Sequence, residues 1–302
     1  MKRMKSVLTL GAVAVLSIAA TLLALEVFRD EPPVEGAIRQ TTRSRLLGEE
    51  REYFVHLPEG YDSNPSQKYP VMVVLDGTSQ SEHTAASAAL MARIGLIPPT
   101  IVIAVPSVDG ETRNRDYTPP DMRLDHDDPD SSMGSADRFL AHLERELIPE
   151  IDRKYRTARP RAIAGWSRGG LFVVYTQIEK PALFDAAFAD SPALWRQEDR
   201  IVTRLERAFS ASPPPEGFLF LSLGEAENDK MTSSFRHAVQ VLERSAPPAL
   251  RWRSYVSVKG THESNPRLAM PVGLCALFRP EGSCGAVPAG SEQMHASAPQ
   301  LR

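Results

Sequence analysis

The apolar positions of this chain fall into short unbroken runs and longer helical repeats, and the two alternate. Tyr69–Leu75, Thr100–Val105 and Gly217–Gly224 are continuous apolar stretches of strand length, the pattern of strands buried on both faces. Phe184–Asp190 is a further strand that ends in the turn Ser191-Pro192, and Leu250–Val258 alternates like a final strand. Between them the spacing predicts helices over Thr84–Ile94, Arg200–Phe209, Lys230–Arg244 and Pro266–Phe278. Ala136–Tyr155 repeats Phe139, Leu143, Leu147 and Ile151 at steps of four, an amphipathic helix interrupted or bent near Pro149. Ahead of all this, Thr42–Leu47 and Arg51–Leu57 read as an antiparallel hairpin around Gly48-Glu49. Strands alternating with helices predict an α/β fold with a mostly parallel central sheet and helices on both faces. No internal repeat interrupts this order.

Composition narrows the picture. A chain of 302 residues, 42% hydrophobic and 24% charged, has the size of one α/β catalytic domain behind a short leader. Its net charge of −3, with no basic cluster interleaved with aromatics, speaks against nucleic acid as a partner. Met1-Lys2-Arg3-Met4-Lys5 precedes an almost uncharged apolar run from Val7 to Leu25, so residues 1–30 read as an export signal or membrane anchor. The run is close to bilayer length and lacks an obvious cleavage site, which favours an anchor facing the periplasm over a cleaved signal. The expected organisation is then a linker over 31–41, a catalytic domain over 42–285 and a disordered polar tail over 286–302. Only two cysteines occur, Cys275 and Cys284, a pair able to form one disulfide in an oxidising compartment or to remain as two thiols.

Candidate chemistry gathers where the strands end. Ala162–Leu171 reads strand, Gly165-Trp166-Ser167-Arg168-Gly169, then helix, which is the nucleophile elbow of a serine hydrolase. The turn must be sharp, so small residues flank Ser167, and the helix that follows aims the Arg168 N–H at a developing oxyanion. After the strand Tyr69–Leu75, the turn Asp76-Gly77-Thr78 is placed to give the second donor, from Thr78 or Gly77. After Gly217–Gly224 come Glu225, Glu227 and Asp229; Glu227 is the first choice for a triad acid, then Asp229, then Glu225. His262, alone of seven histidines, stands on the loop after the last strand, where a general base reaches back to Ser167. Glu111–Pro120 reads as a loop facing the same edge; Arg115 in it either contacts substrate or forms a local Arg–Asp pair. Asp121, Asp125, His126, Asp127, Asp128 and Asp130 lack the glycine and terminal glutamate of a calcium loop and read as a solvated segment, so neither metal nor cofactor is expected.

Several of these segments together resemble the esterase family of α/β-hydrolases that includes S-formylglutathione hydrolases, antigen-85 mycolyltransferases, feruloyl esterases and siderophore esterases of the enterobactin type, the last branch most. The resemblance is carried by Val73-Val74-Leu75-Asp76-Gly77, Arg113–Pro119, Glu146–Pro149, Tyr155-Arg156-Thr157, Ala164–Leu171, Ser191–Trp195, Leu223-Gly224-Glu225 and Thr261-His262-Glu263, and runs from about Thr41 to Phe278. It implies Ser167 as nucleophile, His262 as base and a small-molecule ester as substrate, siderophore trilactones among the candidates. It leaves Glu227 open, because some relatives work with little or no acid partner. Histidine is common in the family where Trp166 stands, and Arg168 replaces a position often small or apolar; both therefore become candidate pocket residues. The alternatives are an acyltransferase using the same machinery and an envelope binding protein that has kept the fold without the chemistry.

Overall fold

The computed structural model describes residues 36–211 and 216–279, together with the backbone of 293–295. Among the described residues nine strands form one sheet in the order β1-β2-β4-β3-β5-β6-β7-β8-β9. They are β1 Ile38–Arg43, β2 Glu50–His56, β3 Tyr69–Leu75, β4 Ile101–Val105, β5 Thr157–Trp166, β6 Ala186–Asp190, β7 Gly217–Gly224, β8 Leu250–Ser257 and β9 Gln293–His295. The six strands from β4 to β8 in that order run parallel, while β1, β2 and β9 pair antiparallel at the two edges. The fold class is thus an α/β-hydrolase sheet with an antiparallel hairpin at its start.

The continuous apolar runs are strands because both of their faces are covered. All seven residues of β3 are buried; Val71, Val73 and Leu75 face one core, and Met72 and Val74 face the other. Each such side chain contributes about 1.5–3 kcal/mol by leaving water. The helices α1 Gly77–Arg93 and α8 Asn265–Phe278 cover the second core. The first core lies under α3 Ala136–His142, α4 Ile148–Lys154, α5 Arg168–Glu179, α6 Arg200–Ala211 and α7 Asp229–Ser245. Because β3 pairs with β4 on one side and β5 on the other, the chain reverses its winding at β3. The crevice outside the carboxyl ends of β3 and β5 is therefore the natural ligand site.

Three elements differ from the sequence reading. The segment 111–120 is not a loop: α2 runs Gly110–Tyr117, started by Asp109, whose carboxylate accepts the Thr112 N–H at 2.7 Å. The long amphipathic helix is, as expected, interrupted near Pro149, by a π-helical turn at Leu143–Leu147 where the Ile148 N–H reaches back to the Leu143 carbonyl. Pro149 has no N–H and crowds the turn before it, and the widened turn accommodates it. The first strand begins at Ile38, four residues ahead of the expected hairpin arm, and Gln293–His295 of the polar tail pair with β8. The rest of the tail, Cys284 and the apolar run Val7–Leu25 lie outside the described residues; Cys275 is buried and disulfide-bonded. Among the described residues no helix is long and apolar enough to cross a membrane.

Candidate active site

The elbow is built by close approach. Ser167 sits between β5 and α5 with φ 57° and ψ −116°, in the left-handed region that a residue with a side chain occupies at a cost of about 1–3 kcal/mol. A Cβ on Gly165 would lie 2.4 Å from the Gly169 carbonyl oxygen, so strand and helix meet only because that atom is missing. Next to it, a Cβ on Gly170 would lie 2.9 Å from Pro192 Cα. The loop after β6 is held on the elbow by two backbone bonds, Ser167 N–H to Asp190 O at 3.0 Å and Ala193 N–H to Ser167 O at 2.9 Å.

Glu227 and His262 arrive from two neighbouring strand ends, tied together by the Ala226 N–H to Gly260 O bond at 2.9 Å. His262 Nδ1 lies 2.8 Å from Glu227 Oε2. Since that carboxylate oxygen accepts, Nδ1 is the protonated nitrogen and Nε2 is left with a free lone pair. The other oxygen of Glu227 accepts the Ser191 hydroxyl at 2.5 Å and the Gly224 N–H at 2.8 Å. Burial pushes the Glu227 carboxyl upward, but the hydrogen bonds from His262, Ser191 and Gly224 outweigh it and hold it below the usual carboxylate range. Its side chain is 1% exposed, against 31% for His262. The two other candidate acids stand aside: Glu225 is exposed and accepts the Lys259 N–H, and Asp229 lies in the exposed first turn of α7.

Behind this pair runs a buried polar network that sequence reasoning missed. Asn265, fully buried at the start of α8, donates to the Ser191 hydroxyl at 2.9 Å and to the Ser222 hydroxyl at 2.8 Å, and accepts from Ser257 at 2.7 Å. Ser222 in turn donates to Asp190 at 2.5 Å. Burial raises the Asp190 carboxyl to about 7. A lone asparagine after a serine cap carries no sequence signal of this role; four small polar residues at three strand ends carry a weak one.

The opposite flank is cationic. Arg113 on α2 grips Asp76 with two hydrogen bonds of 2.6 and 2.7 Å and donates to the Trp166 carbonyl at 3.2 Å. Asp76, at φ 54°, is the cap of α1, so this guanidinium ties the start of α1 to the end of β5. Arg115 points elsewhere: it pairs with Glu49 and Asp116 at 2.7 and 2.8 Å, the local ion pair that the sequence left open. The Trp166 indole donates to the His262 carbonyl at 2.8 Å and packs on the imidazole at 4.9 Å between ring centres. Thr78 is exposed in the first turn of α1, and Arg168 opens α5; the first N–H groups of a helix have no partner within it. Asp125, His126 and Asp127 lie close enough to share an ion, but both aspartates are exposed.

A strained serine on a strand-to-helix turn, with a carboxylate–imidazole pair at neighbouring strand ends, defines an enzyme of the α/β-hydrolase class. The Esterase family model matches residues 44–266, and the chain belongs to that family. It is 28% identical over 214 residues to the ferri-bacillibactin esterase BesA of Bacillus subtilis, a match covering 66% of this chain and 74% of that one. Over 127 residues it is 34% identical to the siderophore enterobactin esterase of Emericella nidulans, covering 37% and 42% of the two chains. Among solved structures, an IroE-like serine hydrolase from Shewanella oneidensis superposes with a TM-score of 0.74 at 28% identity over 80% of each chain. The protein is a carboxylic ester hydrolase.

Proposed function

We propose that hydrolysis proceeds through an acyl-enzyme on Ser167, with His262 as general base and Glu227 as the carboxylate that orients it. The observation that carries this reading is the 2.8 Å bond from Glu227 to His262 Nδ1, which leaves Nε2 as the basic nitrogen. Ser167 Oγ attacks the ester carbonyl while Nε2 takes its proton, and the imidazolium then returns that proton to the departing alkoxide. Water repeats the sequence on the acyl-enzyme and regenerates the serine. The N–H groups of Arg168 and Thr78 hold the negative oxygen, each at the unpartnered start of a helix. The clamp from Arg113 to Asp76 and Trp166 keeps those two helix starts in register before substrate arrives.

The relatives support a siderophore-type ester, a lactone of hydroxy acids, as the substrate class. The basic and then apolar start of the chain supports catalysis outside the cytoplasm. The test is labelling with a fluorophosphonate followed by mass mapping. An adduct on Ser167 that is lost in His262→Ala supports the reading; no adduct on a folded sample, or ester hydrolysis undiminished in Ser167→Ala, overturns it.

A further inference from the structure

Three arginines come to the elbow from three different elements. Arg168 follows Ser167 directly, Arg113 reaches in from α2, and Arg196 lies on the loop that Ala193 anchors to the Ser167 carbonyl. Only Arg113 has a carboxylate of its own, Asp76. Arg168 donates to the neutral Thr118 hydroxyl at 2.7 Å. Arg196, 6% exposed, donates to the backbone carbonyls of Arg123 and Leu124 at 3.1 and 2.6 Å. Among the described residues neither has a carboxylate within ion-pair distance.

Partly buried guanidinium groups without a counter-ion are costly, because water has been removed and nothing of opposite sign replaces it. Burial, with the charges of Arg196 and Arg113 adding to it, pushes the Arg168 guanidinium down to about 10, and Asp125 offsets this only in part. Asp125 and Asp127 act likewise on Arg196. The molecule as a whole carries −3, so this concentration of positive charge is local to the site. Trp195 stands beside Arg196, with the Arg196 guanidinium 5.6 Å from its ring centre and the Lys230 ammonium 5.4 Å from it.

We infer that Arg168, backed by Arg196, is an anion-binding subsite beside the nucleophile, and that the preferred ester carries a negatively charged oxygen group such as a carboxylate close to its scissile bond. This deepens the proposed function and rests on Ser167 being the nucleophile. A planar guanidinium matches a carboxylate with two parallel hydrogen bonds, which a lysine or a helix start does not.

The test compares two matched pairs of synthetic esters on the full chain. Mono-(4-nitrophenyl) glutarate is set against 4-nitrophenyl hexanoate, and 4-acetoxybenzoate against 4-acetoxybenzamide, so that the charge lies on the acyl side in one pair and on the alcohol side in the other. The readout is the ratio of kcat/KM, anionic over neutral, because the Arg168 backbone N–H serves both members. In at least one pair the ratio should exceed one and fall about tenfold or more in Arg168→Met, as expected for losing a charge-assisted hydrogen bond. Arg196→Met should lower it too, and the preference should shrink with rising salt. A ratio at or below one in both pairs, or one untouched by Arg168→Met in a folded protein, overturns the subsite. If neutral ester hydrolysis instead survives Ser167→Ala, the catalytic assignment has failed. Calorimetric titration with 4-hydroxybenzoate and glutarate then decides the subsite by itself: binding lost in Arg168→Met upholds it, and no binding rejects it.

Discussion

The two flanks of the elbow are built on opposite principles. On the His262 side the buried polar groups behind the imidazole answer one another: Glu227 takes Ser191, Gly224 and His262, and Asn265 joins Ser191, Ser222 and Ser257. On the Arg168 side the positive groups outnumber the carboxylates that meet them. A network satisfied from within fixes geometry and resists change, since removing one member strands a buried partner. A flank left in electrostatic deficit is completed by what binds to it. The first side is suited to doing chemistry on any ester, and the second to choosing among esters.

This contrast can be broken at graded cost. Ser167→Ala should reduce kcat for every ester by at least about 10⁴-fold, measured on a neutral activated ester, with no preference for either flank. Glu227→Gln should lower kcat by about 10²–10⁴-fold, because the amide turns the imidazole toward the wrong tautomer. Its effect on stability has a definite sign. A carboxyl held low in the folded state stabilises the protein above its unfolded value and ceases to do so as pH falls through the folded one. The thermal stability advantage of the native protein over Glu227→Gln should therefore begin to shrink as pH falls below about 4.5 and be lost as it passes through the lower folded value.

Asn265→Ala probes the inner flank without touching the reacting atoms. It should cost about 1–3 kcal/mol of stability by stranding buried hydroxyls, seen in denaturant unfolding. As a positioning residue acting through Ser191 and Glu227, it should also lower kcat by about tenfold with KM little changed. An effect on unfolding alone would make it merely structural. Arg168→Met is its counterpart on the other flank and should move substrate preference while leaving unfolding nearly where it was.

The smallest effect at neutral pH lies beneath both flanks. His83 lines a void of about 10 Å³ under the elbow together with Gln80 and Asp190, and both of its ring nitrogens are buried without a partner. Burial lowers its pKa from 6.5 to about 4. Between those values the unfolded chain holds a proton that the folded one refuses, so stability drops as pH falls from 6.5 to about 4. The loss amounts to up to ~3 kcal/mol. Asp190 works the other way, since its raised carboxyl costs stability as pH rises toward 7. His83→Leu should flatten the acid side of the stability curve measured by thermal unfolding, and Asp190→Asn the neutral side.

How far the sequence could be read follows from how local each signal is. The buried strands, the elbow and the histidine after the last strand are each written in consecutive residues, and they appear where the pattern puts them. Glu227 stood in a run of three carboxylates, and the choice among them depended on which one turned inward toward Ser191. The segment 111–120 misled because its helix is all polar, with only Tyr117 as an apolar anchor, so no period showed. Arg113 and Arg115 are two residues apart on that helix and therefore face different ways, one to Asp76 and the other to Glu49. Asn265 and Arg196 act through partners distant in sequence, which no local pattern reports.

The contact between Gly170 and Pro192 also bears on how this enzyme can diversify. With the backbone of the turn at Pro192 lying where a side chain in the first turn of α5 would grow, neither the turn nor the helix start can change without the other, and drift there is closed off. Arg168 and Arg196 extend from that locked frame on side chains whose hydrogen bonds reach Thr118 and two carbonyls of the 118–124 segment. Descendants of this sequence can therefore exchange one substrate for another by altering two guanidinium groups and the segment they lean on, while inheriting the reactive centre intact.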